Sequence, residues 1–210
     1  MLFGRTSRRR AARSGAFPSG EDSVRADGLT ALWQARWPRS EPIGHRLRVA
    51  YPDRWVRFHS LPDGKRYADS ETERREVANR HPTVLDGLHT TGSLVVIAED
   101  RDHRDLHGGW SRHVAGRWPW RISTDFPSWD SEDGTPAYFW ASSVDGPTEL
   151  RALLADAADD EADFIVGAAD LRWVYAPYEG GADVLLPSSD ERDVLARRHA
   201  DWLPQGAQGL

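Results

Sequence analysis

The chain has 210 residues, 39% of them hydrophobic, with 33 acidic side chains against 27 basic ones and a net charge of −6. That length suffices for one domain with a sizeable core, and no apolar run approaches the ~18–20 residues of a membrane span. There is no cysteine, which excludes disulfides, thiol catalysis, zinc ribbons and iron–sulfur clusters.

Charge divides the chain. Residues 1–25 hold Arg5, Arg8, Arg9, Arg10, Arg13 and Arg25 against Glu21 and Asp22, a net of +4 that leaves −10 for residues 26–210. Gly15, Pro18 and Gly20 interrupt this stretch and it has no helical periodicity. Residues 1–25 are therefore expected to form a disordered basic tail, and residues 26–210 a single folded domain. Arginine clusters neutralise phosphates, but no basic groove continues into the acidic body, which argues against a nucleic-acid partner. Met1-Leu2-Phe3-Gly4-Arg5 runs into arginines where a secretory signal would have an apolar stretch. A cytoplasmic protein without a membrane partner is the expectation. Lys65 is the only lysine, which reflects either codon bias or a use of arginine for bidentate anion recognition.

In chain order, Asp27 is the expected N-cap of a first helix carrying Leu29, Leu32, Trp33 and Trp37, stopped by Pro38. A short helical turn is expected from Gly44 to Ala50. Trp55 to His59 reads as a strand, with Val56 and Phe58 on one face and Trp55, Arg57 and His59 on the other. After the turn at Pro62-Asp63-Gly64, a charged helix spans about Ser70 to Asn79, and Pro82 should break or kink it before helical character resumes. Strands are expected at 94–98, near 120–122, and at 137–141, 164–166, 171–175 and 182–186. A helix should cover Thr148 to Ala158. A closing helix starts at Ser189 as N-cap, with Arg192 in the slot where a capping box prefers Glu. Short connections between the last strands favour hairpins. The expected fold is α+β, a mostly antiparallel sheet with helices packed on it.

Motif searches trim the enzyme classes. His103-Arg104-Asp105 resembles a kinase catalytic loop, but Trp110 stands where a metal-binding Asn is needed and Pro127 replaces the Gly after Asp125-Phe126. His103, His107 and His113 have metal-like spacing only if they lie on a helix, and Gly108-Gly109 opposes that. No metal is expected. Nucleophile-elbow, phosphate-loop and dinucleotide fingerprints are missing, so no cofactor is expected either. Trp110, Trp118, Trp120 and Trp129 suit either core packing or a stacking groove.

Two longer segments carry more information. One runs from Asp53-Arg54-Trp55-Val56-Arg57-Phe58-His59 through Ser60-Leu61-Pro62 to Lys65-Arg66-Tyr67. The other is Trp173-Val174-Tyr175-Ala176-Pro177-Tyr178-Glu179-Gly180-Gly181-Ala182-Asp183-Val184. With His81-Pro82-Thr83-Val84-Leu85-Asp86 they resemble the bacterial Domain of Unknown Function 3885 family over roughly residues 29–210. Pro82 stands where the family has Asn, and Glu179 where it has Asp. The resemblance implies membership of that class and transfers no catalytic residue.

Pro177 to Gly181 reads as a turn in which Gly180 and Gly181 supply positive φ. It either closes a hairpin or presents Tyr178, Glu179 and Asp183 to a partner, and Asp183 could instead cap the turn's own N–H groups. Arg57 and His59 form a polar patch or the solvent side of a sheet. Two functions follow. One is a non-enzymatic interaction module that binds another protein through aromatic and carboxylate-bearing loops. The other is a small hydrolase-like enzyme using His59 with Asp183 or Glu179 as acid and base. Convergence of those groups in a concave pocket discriminates between them.

Overall fold

The computed structural model describes residues 20–88, 92–100, 113–123 and 137–205. Helix α1 (Gly20–Arg36) begins well ahead of Asp27, so residues 20–25, assigned to the tail by composition, are helical. Glu21 and Asp22 lie in its first turn, where the helix dipole favours acidic side chains. The arginine-rich, glycine-punctuated surroundings hid that signal. Residues 1–19 lie outside the described residues, as do His103, His107, Trp110 and Trp129.

Helix α2 (Gly44–Ala50) and strand β1 (Trp55–His59) fall where expected, with Val56 and Phe58 buried and the alternate residues half-buried. Helix α3 (Glu71–Leu88) opens on a reciprocal capping box: Ser70 Oγ accepts from the Glu73 N–H while Glu73 Oε2 accepts from the Ser70 N–H. Of the break or kink expected at Pro82, the break does not occur, and the helix continues through it. A proline inside a helix costs about 3 kcal/mol. Val77, Val84, Leu85 and Leu88 are buried on one face, and at about 1.5–3 kcal/mol for each side chain that burial outweighs the cost.

Strands β2 (Leu94–Asp100), β3 (Trp118–Ser123) and β4 (Ala137–Val144) precede α4 (Arg151–Ala158). Strands β5 (Ile165–Ala168), β6 (Val174–Tyr178) and β7 (Gly181–Leu185) then lead to α5 (Ser189–Arg198). Strand β6 starts later than its apolar run suggests, because Leu171 takes φ +52° in the turn that follows β5. The cap of α5 is Ser188, whose hydroxyl accepts from the Glu191 N–H. Its capping slot thus holds Glu191, one residue before Arg192.

All neighbours in the sheet are antiparallel, in the order β1-β7-β6-β5-β2-β4-β3. Helices cover both faces. One cluster joins Trp33, Trp37 and Leu47 of the α1–α2 side to Trp120, Phe139 and Val174. The other joins Val84 and Leu85 of α3, Leu153 of α4 and Leu195 of α5 to Trp173 and Tyr175. Double coverage explains why β2, β6 and β7 are near-continuous apolar runs. Trp118 and Trp120 are core residues and do not line a stacking groove. Trp120 Nε1 donates to Thr30 Oγ1 at 3.0 Å and Trp37 Nε1 to the Leu171 carbonyl at 2.8 Å, whereas the buried Trp118 Nε1 has no partner among the described residues.

Candidate functional site

Pairing of β1 with β7 sets Arg57 directly opposite Asp183. Arg57 Nε donates to Asp183 Oδ1 at 2.8 Å and Nη2 to Oδ2 at 3.1 Å, a planar fork on a carboxylate whose side chain is 6% exposed. Arg48 of α2 brings Nη1 to 3.6 Å from Oδ2. The Arg57 guanidinium also lies over the Tyr178 and Trp55 rings, 5.1 and 5.4 Å from their centroids. Asp183 is thus a mid-strand ion-pair partner and does not cap the turn.

The β6–β7 connection is the two-residue turn Glu179-Gly180. The two glycines differ: Gly180 does not adopt positive φ, whereas Gly181 does, at +158°. A Cβ on Gly181 would sit 2.0 Å from the Phe58 carbonyl oxygen, so glycine is required there by the approach of β1. Glu179 is half-buried and ion-paired with Arg66. Tyr178 is half-buried too, and burial pushes its phenol up to about 12.

Arg57, Tyr178, Glu179 and Asp183 meet along a cleft of about 530 Å³. Arg48 and Arg66 join them, and Asp160 and Asp163 enter from the segment between α4 and β5. The fifth candidate is elsewhere. His59 does not line the cleft. Its ring packs at the Gly64 backbone, and its carbonyl accepts from Arg80 Nη1 at 2.9 Å. Burial, then the charges of Arg57 and Arg80, lower its pKa. No hydrogen bond joins His59 to Asp183 or Glu179, the pairing expected for an acid–base site; the two carboxylates are held by Arg57 and Arg66.

A second polar cluster escaped the sequence reading. His81 Nδ1 is 2.6 Å from the Tyr175 hydroxyl and Nε2 is 3.1 Å from Ser60 Oγ. The three residues are 3%, 1% and 2% exposed. Burial lowers His81 to about 4 and raises Tyr175, so a neutral imidazole, one donor and one acceptor, matches two hydroxyls. The Ser60 N–H donates to the Gly180 carbonyl at 2.9 Å, linking this network to the turn. Spacing held one clue: His81 falls midway between Val77 and Leu85 on the apolar stripe of α3. Nothing local marks Ser60 or Tyr175.

Among the described residues, no three His, Cys, Asp or Glu side chains gather to hold a metal, and no helix is long and apolar enough to cross a membrane. His113, once considered with His103 and His107, lies 2.8 Å from Asp156 through Nε2. Compared with known proteins, residues 43–206 match the family described as Domain of unknown function (DUF3885), a span that contains the whole sheet and the cleft. No curated protein and no solved structure matches the chain.

Proposed function

The chain belongs to the Domain of unknown function (DUF3885) family, and from that premise we propose that it is a non-enzymatic protein-interaction module of the bacterial cytoplasm. Its docking point is the cleft beside the β6–β7 turn. One observation carries this reading: Tyr178 and Glu179 sit on a rigid hairpin at the cleft while its innermost carboxylate, Asp183, is held by Arg57. Side chains fixed in this way present contacts at little entropic cost, and Tyr and Arg are the residues enriched at interaction hot spots. The mixed charges of the cleft suit a polypeptide partner better than nucleic acid, which would meet Asp160, Asp163 and Glu179. A hydrolase would need a base within reach of a free nucleophile. His59 does not line the cleft and makes no hydrogen bond to its carboxylates among the described residues, and Ser60, although beside His81, is sealed in the core.

The test is affinity capture from the native host with the full chain, its Tyr178→Ala variant and its Glu179→Gln variant. A specific captured protein lost by both variants, with melting temperature unchanged for Glu179→Gln, is the expected result. Equal capture by all three chains would overturn the reading.

A further inference from the structure

The cations of the cleft differ in what they already hold. Arg57 gives two hydrogen bonds to Asp183, and Arg66 is paired with Glu179. The Arg48 guanidinium donates no hydrogen bond to any described residue. The carboxylate oxygen paired with it, Asp183 Oδ2, is 3.6 Å away, outside hydrogen-bond range. That oxygen already accepts from Arg57 Nη2. With its side chain 30% exposed, Arg48 is partly withdrawn from water while lining the cleft. Tyr178 lines the same cleft, near enough for the charge of Arg48 to act on its phenol. Its hydroxyl makes no hydrogen bond to a described residue, and it keeps its proton because burial raises it to about 12. A planar cationic fork and a neutral O–H donor therefore line one cleft, neither with a hydrogen-bond acceptor for its side chain among the described residues.

A carboxylate fits this pair. Guanidinium and carboxylate match in planarity and donor spacing, and the phenol can supply a further donor. Phosphate fits less well, because a dianion would also face Asp160, Asp163 and Glu179. The exposed Asp160 carboxylate has no partner among the described residues and favours positive charge elsewhere on the same ligand. We propose that Arg48 and Tyr178 form a receptor for one carboxylate of a zwitterionic ligand whose cationic group lies toward Asp160. This inference rests on reading the cleft as the binding site and adds the chemistry it recognises.

The experiment titrates the full chain, carrying ¹³C-labelled tyrosine, near pH 7 at constant ionic strength. Its probes are N-acetyl-glutamyl-lysine amide, L-glutamine and inorganic phosphate. Saturation by at least one zwitterion, tighter than by phosphate, is expected. Loss of a hydrogen bond to a charged group should weaken it about tenfold or more in Arg48→Gln. Tyr178→Phe, which keeps the ring over Arg57, should weaken it severalfold with the melting temperature unchanged. Saturation by the dipeptide places the carboxylate on a polypeptide, and saturation by glutamine alone places it on a small molecule. Both support the receptor, and only the second counts against a protein partner. Phosphate binding as tightly, no saturation by either zwitterion, or unchanged binding in both variants overturns the inference. Partner capture that persists in that case leaves the interaction module standing and removes only the carboxylate receptor.

Discussion

Arg57 and Asp183 face each other across the β1–β7 ladder and close a bidentate ion pair at 2.8 and 3.1 Å between residues 126 positions apart in the chain. The pair fixes the edge strand to its neighbour and places a neutralised charge at the cleft. Its partners are not equivalent to a surface salt bridge, because desolvation makes an orphaned member costly.

Asp183→Ala should therefore lose about 3–5 kcal/mol in a urea titration, since it removes the carboxylate that neutralises Arg57 in a half-buried setting. The double variant Arg57→Met, Asp183→Leu should recover most of that loss. Failure of the double variant to recover stability would show that the cost lies in packing and not in the unpaired charge.

The two turn glycines should behave differently. Gly181→Ala drives a Cβ onto the Phe58 carbonyl at 2.0 Å, and backbone cannot yield cheaply, so a loss of about 3 kcal/mol or more is expected. Gly180→Ala meets the Tyr178 ring at 3.0 Å, which can shift, and should cost less than about 1 kcal/mol. Thermal unfolding of the two single variants ranks them directly.

Protonation of His81 should destabilise the fold. Its folded pKa, about 4, lies below the unfolded value of 6.5, so the unfolded chain binds the extra proton between those limits. The contribution is fully present above about pH 6.5 and is lost as pH falls toward 4. Its size is on the order of 3 kcal/mol. Stability measured from pH 7 to 4 should fall more steeply in the wild type than in His81→Gln, and parallel profiles would show that His81 is not the titrating group. His59 and His199, whose pKa values burial also lowers, are present in both chains and drop out of the comparison.

Truncation separates the basic leader from the first helix. Removing residues 1–19 should leave the melting temperature within a few degrees, whereas removing residues 1–36 deletes Trp33, which is fully buried against Trp120. Loss of a buried Trp alone costs about 3–5 kcal/mol, so the longer truncation should unfold at markedly lower temperature. A large fall for the shorter one would mean that the leader packs on the domain.

Local physics made much of the fold legible in the sequence. Alternation at Val56 and Phe58, apolar runs at 94–98 and 182–186, and punctuation by Pro38 and Pro62 each report on a few neighbouring residues, and the elements lie near those signals. Arg57, Tyr178, Glu179 and Asp183 were also singled out from two segments, and they do share one cleft. Tertiary structure alone decided the rest. Only the strand register makes Asp183 the partner of Arg57, and only the approach of β1 adds to the positive φ of Gly181 a second reason for glycine. Packing against the core carries α3 through Pro82 and brings His81 to Ser60 and Tyr175, 21 and 94 residues away in the chain. His59 is separated from the cleft for the same reason: local periodicity sets which face of a strand a side chain takes, while its neighbours across that face come from pairings that no local signal encodes.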